Sequence, residues 1–483
     1  MTTTTTTTTL TFTLPDGTST ITIRPTQDTT TSKEEEPSQD TAPSKKDSNY
    51  EVYLNDDLIG TWVVDPSVQT RVSPAQVLDE RAEFDSVRHL VLSSRRSNDN
   101  GVCNGNGVSN GNGVSNGNGV SNGNGVSNGN GVSNGNGVSN ENGVSNGNGI
   151  SDRDGIHSVE AHSKGELENT WISIYALWLL HHDLDVIPIS SPSNSAVTTY
   201  LINTGLAAPS PFEPADTDAG RTLLLAREAF WQGAGTPDNL SWLRSRPEAS
   251  IPGFNSHLGA FASQMSFTRR GNVCTTHPLR PQKPAPGTVV YSRYIVEVGQ
   301  HLQLVHIDAS NPVHFSAYAR WQNSDRVNHG WRERGPDEKH AAYLESQRID
   351  PHTMSLIFLW DGEPAGYSEV GWAKEDNTAC FVSSNCGIHI GEFDQLSHIL
   401  VGEEKFRGGK RYQAVATSIK HLCFLRDPRT TQVIAEPRFD LPSVPIQARF
   451  LPQERKKRVQ LPHKQAVLFA LRRERFFQEG HFY

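Results

Sequence analysis

Cysteine is scarce: five residues, Cys103, Cys274, Cys380, Cys386 and Cys423, too scattered to frame a disulfide scaffold. Their number fits a reducing compartment. Cys380 and Cys386 have five residues between them, more than the roughly two to four usual for paired zinc thiolates, so no metal site is expected. A basic excess is also missing. The formal charge is −9 and the pI about 6.1, which argues against a nucleic-acid partner. Basic residues dominate only in residues 441–483, nine Lys/Arg against three Asp/Glu. No apolar run approaches the ~18 residues of a membrane span, so no membrane is expected. The N-terminal MTTTTTTTTLTFTLP has neither the basic segment nor the continuous apolar core of a secretory leader. The C-terminal GHFY is neither a peroxisomal nor an ER-retention tail, and the cytoplasm is the expected location.

What is present falls into blocks. Residues 1–48 are rich in Thr, Ser, Pro and Glu; LTFTL and TITI can form a hairpin or edge strand, and the rest reads as disordered. A first domain spans residues 49–267, opening on YEVYLNDDLIGTWVV, whose alternation predicts two strands across a turn. It is interrupted at 98–155, where NGNGVS recurs eight times from Asn104 to Ser151, with Glu141 and Ile150 as departures. A hexapeptide β-helix is conceivable, but one Val per repeat buries little apolar area, and the composition predicts a flexible insert. TWISIYALWLLHHDLDVIPIS predicts a buried helix running into a strand. Residues 268–287, with four prolines from Pro278 to Pro286, predict a linker, and a second domain follows at 288–483.

In that second domain TVVYSRYIVEVGQHLQLVHID is strand-like and NPVHFSAYARWQNSDRVNHGW helical. SLIFLWDGEPAGYSEVGWA gives two strands joined by Asp361-Gly362-Glu363-Pro364, a hairpin signal. FDQLSHILV is a further strand, RYQAVATSIKHLCFL a helix with Val415, Ile419 and Leu422 on one face, and TTQVIAEP a strand again. The class is α/β (α+β). The order of antiparallel strands, loop, helix and strand resembles the acyl-CoA N-acyltransferases of the GNAT fold.

The stretch GEFDQLSHILVGEEKFRGGKRYQ holds two candidate chemistries. Gly408 and Gly409 lie where a strand gives way to a helix, so backbone amides and a positive helix end can converge on phosphates. Arg407, Lys410 and Arg411 add charge. Alone, the segment also reads as a solvated turn. Asp394 and His398, four apart, would share a strand face and could take a proton; a surface aspartate and a core histidine fit as well. His352 begins the preceding strand. Glu369 is a charge in an apolar strand, and Glu436, Arg438 and Asp440 end the last strand, where α/β sites often lie.

The runs DPHTMSLIFLWDGEPAGYSEVGWAKED, FDQLSHILVGEEKFRGG and VIAEPRFD, in that order, resemble the siderophore acyltransferases that act on N-hydroxylated ornithine or lysine. Aerobactin acetylase, mycobactin lysine acyltransferase and the fungal hydroxyornithine transacylases belong to that family. The resemblance covers about residues 290–483, and fungal members carry a degenerate GNAT-like N-terminal half, matching 49–267. It implies His352 and Asp394 as the catalytic pair with His398 in reserve. It also implies Leu400, Val401 and Gly402 as the strand whose amides polarise the thioester, and the 407–410 loop as the diphosphate cradle. Glu369, Glu436, Arg438 and Asp440 are then candidates for substrate contact. Leu396 departs from a glycine common in the family.

The activity so implied is transfer of an acyl group from acyl-CoA to N5-hydroxyornithine, giving an iron-binding hydroxamate, with small molecules as partners and a homodimer open. The missing peroxisomal tail favours acetyl-CoA over a mevalonate-derived donor. A GNAT enzyme of ordinary amines and a non-catalytic scaffold are the alternatives.

Overall fold

The computed structural model describes residues 9–26, 49–71, 86–94, short segments between 102 and 151, 157–191, 195–211, 221–245, 264–382, 389–480 and 482. The chain divides into two compact units, Met1–Thr11 with Ile21–His181 and Val186–Ala226, and Phe12–Thr20 with His182–Asp185 and Arg227–Tyr483. The division falls at Ala226, not in the proline-rich stretch expected to be a linker. Part of that stretch is folded: Met265–Arg270 and Val273–Pro278 pair as a hairpin across Gly271, at φ 56°. Pro278 closes the second strand opposite Met265 and the other three prolines follow it, so none interrupts the ladder's interior.

The first unit is built on an eight-stranded sheet in the order Leu10–Thr13, Thr20–Pro25, Tyr50–Leu54, Asp57–Arg71, Ser86–Ser94, Val186–Ser191, Arg221–Ala226, Ala207–Pro209. The step from Ser86–Ser94 to Val186–Ser191 is parallel. The helix His157–Leu180 buries Trp171, Ile172, Tyr175, Leu177 and Trp178. They surround its axis, as the unbroken apolar run predicts. Between the fifth strand and this helix lies the repeat. Its backbone forms two parallel ladders at a twelve-residue register, Val102↔Val114 and Gly125↔Gly137 in one, Gly107↔Gly119 and Val132↔Val144 in the other. Composition predicted a flexible insert. In-register pairing instead satisfies backbone groups among identical units, a gain that counting apolar area does not register.

The second unit repeats the strand order. Its strands are β1 (Val289–Ile295), β2 (Gln300–His306), β3 (Thr353–Trp360), β4 (Glu363–Trp372), β5 (Gln395–Val401), β6 (Gln432–Ala435), β7 (Glu454–Gln460) and β8 (Gln465–Arg472). They run β1-β2-β3-β4-β5-β6-β8-β7 across the sheet. Helices α1 (Pro312–Asn323), α2 (Asp325–Trp331) and α3 (Asp337–Ile349) separate β2 from β3, and α4 (Gly409–Arg426) separates β5 from β6. The β3–β4 turn places Asp361 at φ 48° and Gly362 at φ 81°, the left-handed pair a two-residue hairpin requires. Val415, Ile419 and Leu422 are buried as their spacing predicts, but so is every residue of α4 from Ala414 to Phe424.

The feature that positions the site is a fork. β5 and β6 are parallel and pair only at Gln395↔Val433 and Leu396↔Ile434, while β5 continues to Val401 along β4. Beyond Leu396 the two strands part. Among the described residues no helix is long and apolar enough to cross a membrane.

Candidate active site

A cavity of ≈ 460 Å³ opens at the fork, lined by residues from β5, α4, α3 and the segment after β6. Its centre is His398. Nδ1 lies 3.1 Å from Glu369 Oε2, and Nε2 lies 2.9 and 2.8 Å from the two oxygens of Glu436. The antiparallel register of β4 and β5 sets Glu369 directly across from His398. Glu436 follows β6. Glu369 also accepts from the hydroxyls of Tyr343 (2.5 Å) and Tyr367 (2.8 Å), and Glu436 from Lys464 Nζ (3.1 Å). Trp331 of α2 stands edge-on to the imidazole, ring centroids 6.3 Å apart.

Electrostatics follow from this line of charges. Burial opposes the imidazolium, but the Glu436 carboxylate and hydrogen bonds to both glutamates outweigh it and raise His398 to about 10. The same partners overcome burial at Glu436 and Glu369, which are both held below the ordinary carboxylate range. At neutral pH the arrangement is therefore carboxylate–imidazolium–carboxylate, with the histidine side chain 26% exposed toward the cavity.

The pair implied by resemblance is arranged differently. Asp394 is buried just before β5. Its carboxylate accepts from Gly391 N (2.7 Å), Thr431 Oγ1 (2.7 Å) and Gln432 Nε2 (2.8 Å), and from the amides of Thr431 and Gln432. Those donors tie β5 to the start of β6 and leave the carboxylate little capacity for a substrate proton. His352 holds Asp350 Oδ1 at 3.0 Å and Thr268 Oγ1 at 3.2 Å. Neither residue lines the cavity. His352, His277 and Glu375 do bring potential metal-ligating atoms within 4.8 Å of one another, a cluster the sequence reading did not anticipate. Its carboxylate is already held by Arg280 at 2.5 and 2.9 Å.

The predicted cofactor residues divide. Gly402 N–H donates to Ala365 O at 2.8 Å. Because hydrogen bonding alternates along an antiparallel strand, Leu400 also faces β4, and Ile399 and Val401 turn their amides toward the fork. Leu400 itself is core, 4% exposed. A Cβ on Gly402 would meet the Trp321 ring at 2.2 Å. In the loop the left-handed glycine is Gly408, at φ 136°, with nothing near an added Cβ. Gly409 starts α4, which has no side-chain N-cap, so its first amides are open to an anion. Arg407 pairs with Glu404 at 2.6 Å and Lys410 with Glu297 at 3.2 Å. Arg438 lines the cavity and holds Asp440 at 2.5 Å.

Tyr343, Tyr367, Lys464 and Lys420 were not singled out in the sequence. One signal existed for Tyr367, which shares a strand face with Glu369 two residues on. Another existed for Lys420, a cation inside the apolar run of α4.

A family model described as an acetyltransferase (GNAT) domain matches residues 312–443. An acyltransferase of Zymoseptoria tritici is 83% identical over 483 residues, 100% of both chains. An acyltransferase of Omphalotus olearius is 51% identical over 65% of this chain and 77% of its own. The N(5)-hydroxyornithine:cis-anhydromevalonyl coenzyme A-N(5)-transacylase of Beauveria bassiana is 32% identical over 65% of this chain and 73% of its own. With a forked sheet of GNAT type in its C-terminal unit and relatives of this kind, the chain belongs to the siderophore hydroxyornithine acyltransferase family.

Proposed function

We propose that the chain transfers the acyl group of an acyl-CoA to the side-chain nitrogen of N5-hydroxyornithine, forming a hydroxamate. The observation that carries this reading is the Glu369–His398–Glu436 line inside the cavity. His398 keeps its proton to about 10, and both carboxylates are engaged by cations or hydroxyls. Such a site is poorly equipped to strip a proton from an alkylammonium. It suits an acceptor that arrives neutral, and a nitrogen bearing oxygen is neutral at pH 7. The carboxylates then orient the N–OH group and receive the proton released on attack, with positioning supplying much of the rate.

The remaining parts fit around that step. The acyl carbonyl sits in the fork, where the amides of Ile399 and Val401 would receive the developing oxyanion. The diphosphate lies at the start of α4, on the turn made by Gly408, with Arg407 and Lys410 beside it. The cavity wall carries both signs, Arg332, Arg438 and Lys464 among Glu333, Asp376 and Glu436, which suits an amino acid with a carboxylate and an ammonium.

The experiment supplies purified protein with N5-hydroxyornithine or ornithine, and with acetyl-CoA or a branched, longer acyl-CoA. Hydroxamate is detected as its ferric complex. Product from the hydroxylated acceptor alone is expected, and the donor comparison identifies the acyl group. Equal use of ornithine, with a rate climbing steeply toward the amine's pKa, would overturn the reading.

A further inference from the structure

We infer that Lys420, acting through Ser397, supplies the proton to the departing thiol, from the face of β5 opposite His398. The inference rests on the acyl-thioester reading above and adds its acid half.

Ser397 and His398 are neighbours on a strand and so point to opposite faces of the sheet. His398 looks toward Tyr343 and Trp331, on α3 and α2. Ser397 looks toward α4, where Lys420 Nζ donates to its Oγ at 2.7 Å. Both residues nevertheless line one cavity, because β5 and β6 have already parted at this level. The cavity therefore passes through the sheet, with the carboxylate–imidazolium line on one side and the Lys420–Ser397 pair on the other.

Lys420 is 3% exposed, and none of the ion pairs among the described residues includes it. A buried ammonium held only by a hydroxyl is costly unless an anion visits it. Burial lowers Lys420 to about 8, against the pull of Cys423 and Glu436. It is thus largely protonated at neutral pH, yet can release a proton toward a thiolate, whose ordinary pKa is about 8.5.

The chemistry of the proposed acceptor gives such an acid a role. While its nitrogen still carries the extra proton, the tetrahedral intermediate expels the weakly basic N–OH amine more readily than an alkyl thiolate. Once the carboxylates have taken that proton, C–S cleavage is the easier path, and its cost is the charge placed on an alkyl thiolate. Protonating sulfur as it departs lowers that cost and draws the intermediate toward product before the nitrogen is reprotonated and expelled. In the forward step the oxyanion's electron pair re-forms the C=O bond and the C–S bond breaks with its pair on sulfur. Ser397 Oγ–H gives its proton to sulfur, and Lys420 Nζ–H replaces it on Oγ. The neutral lysine recovers a proton from solvent after the thiol leaves.

The test compares two donors on the full-length protein, acetyl-CoA and S-(4-nitrophenyl) thioacetate, whose aryl thiolate leaves without protonation. Thiol release is the readout, because it does not depend on which acceptor nitrogen proves best. Lys420→Met should lower kcat with acetyl-CoA by about 10², the scale of a lost general acid, and leave the aryl thioester near the parent rate. Equal losses on both donors, no loss on either, or a loss confined to KM for acetyl-CoA would each overturn the inference. Should Lys420→Met melt early, Ser397→Ala is read by the same donor ratio. Glu436→Gln separates this inference from the reading it rests on. It should depress both donors alike, and if it depresses neither, the base side is wrong while the Lys420 donor ratio still stands.

Discussion

His398 is the residue at which burial, charge and access meet, and its substitution has two separable consequences. His398→Gln removes the cation between two carboxylates, and turnover should fall by about 10², as for a lost proton-handling group. The second consequence is a change in how stability depends on pH. A group whose pKa is raised in the folded state contributes fully below its unfolded value near 6.5. That contribution is lost as pH climbs through about 10. Glu436, depressed by burial-resistant pairing, contributes above the ordinary carboxylate range and loses that contribution on acidification. Chemical denaturation at several pH values should show the parent losing stability between pH 6.5 and 10 and His398→Gln losing less. Parallel profiles would mean that the imidazole is not charged in the folded protein. Asp394 gives the contrasting case. With its carboxylate tied into β5 and β6, Asp394→Asn should lower the melting temperature by several degrees, since hydrogen bonds to a charged group are worth about 1.5–3 kcal/mol each. A folded variant with unchanged Tm and a collapsed kcat would return Asp394 to the chemistry. The sequence shows Asp394 and His398 four residues apart, but not that Asp394 lies one residue before the strand begins. Nor does it show that its partners come from Thr431 and Gln432. Those contacts are non-local, and spacing cannot report them.

At the scale of elements, more was legible. The Asp361-Gly362 hairpin, the helix over residues 409–426 and the strands on either side follow from turn chemistry and periodicity, and all are found. The fork was not legible, because nothing in FDQLSHILV marks where pairing with the next strand stops. The glycine turn was legible as a turn but not in its detail. The left-handed residue is Gly408, at φ 136°, so it is Gly408→Val that forces a β-branched side chain into a conformation it resists. KM for acyl-CoA should rise while KM for the hydroxylated acceptor holds steady. A rise in the acceptor KM alone would assign the loop to the other substrate.

For the whole molecule, the repeat is the simplest part to remove. Among the described residues each ladder's strands pair only within that ladder, so deleting Asn104–Ser151 should leave activity and the melting temperature of the remaining protein unchanged, closure entropy varying slowly with loop length. A large drop in Tm would mean that the ladders brace a folded unit. The sequence showed the period plainly. What it concealed was the twelve-residue register, which comes from backbone pairing between alternate repeats rather than from side-chain burial.

The shared strand order of the two units has a consequence for stoichiometry. In the second unit the chain passes from β5 to α4 through a few residues that carry the Gly408 turn. In the first, the equivalent passage from Ser86–Ser94 to His157–Leu180 is taken up by residues 95–156, in which no Arg-Gly-Gly-Lys occurs. If the Gly408 turn is the proposed diphosphate cradle, the duplicated sheet is expected to carry it once. Calorimetric titration with CoA should saturate at one equivalent per polypeptide, and Gly408→Val should abolish that one event. Two equivalents, one of them surviving Gly408→Val, would show that the first unit has kept a pocket of its own.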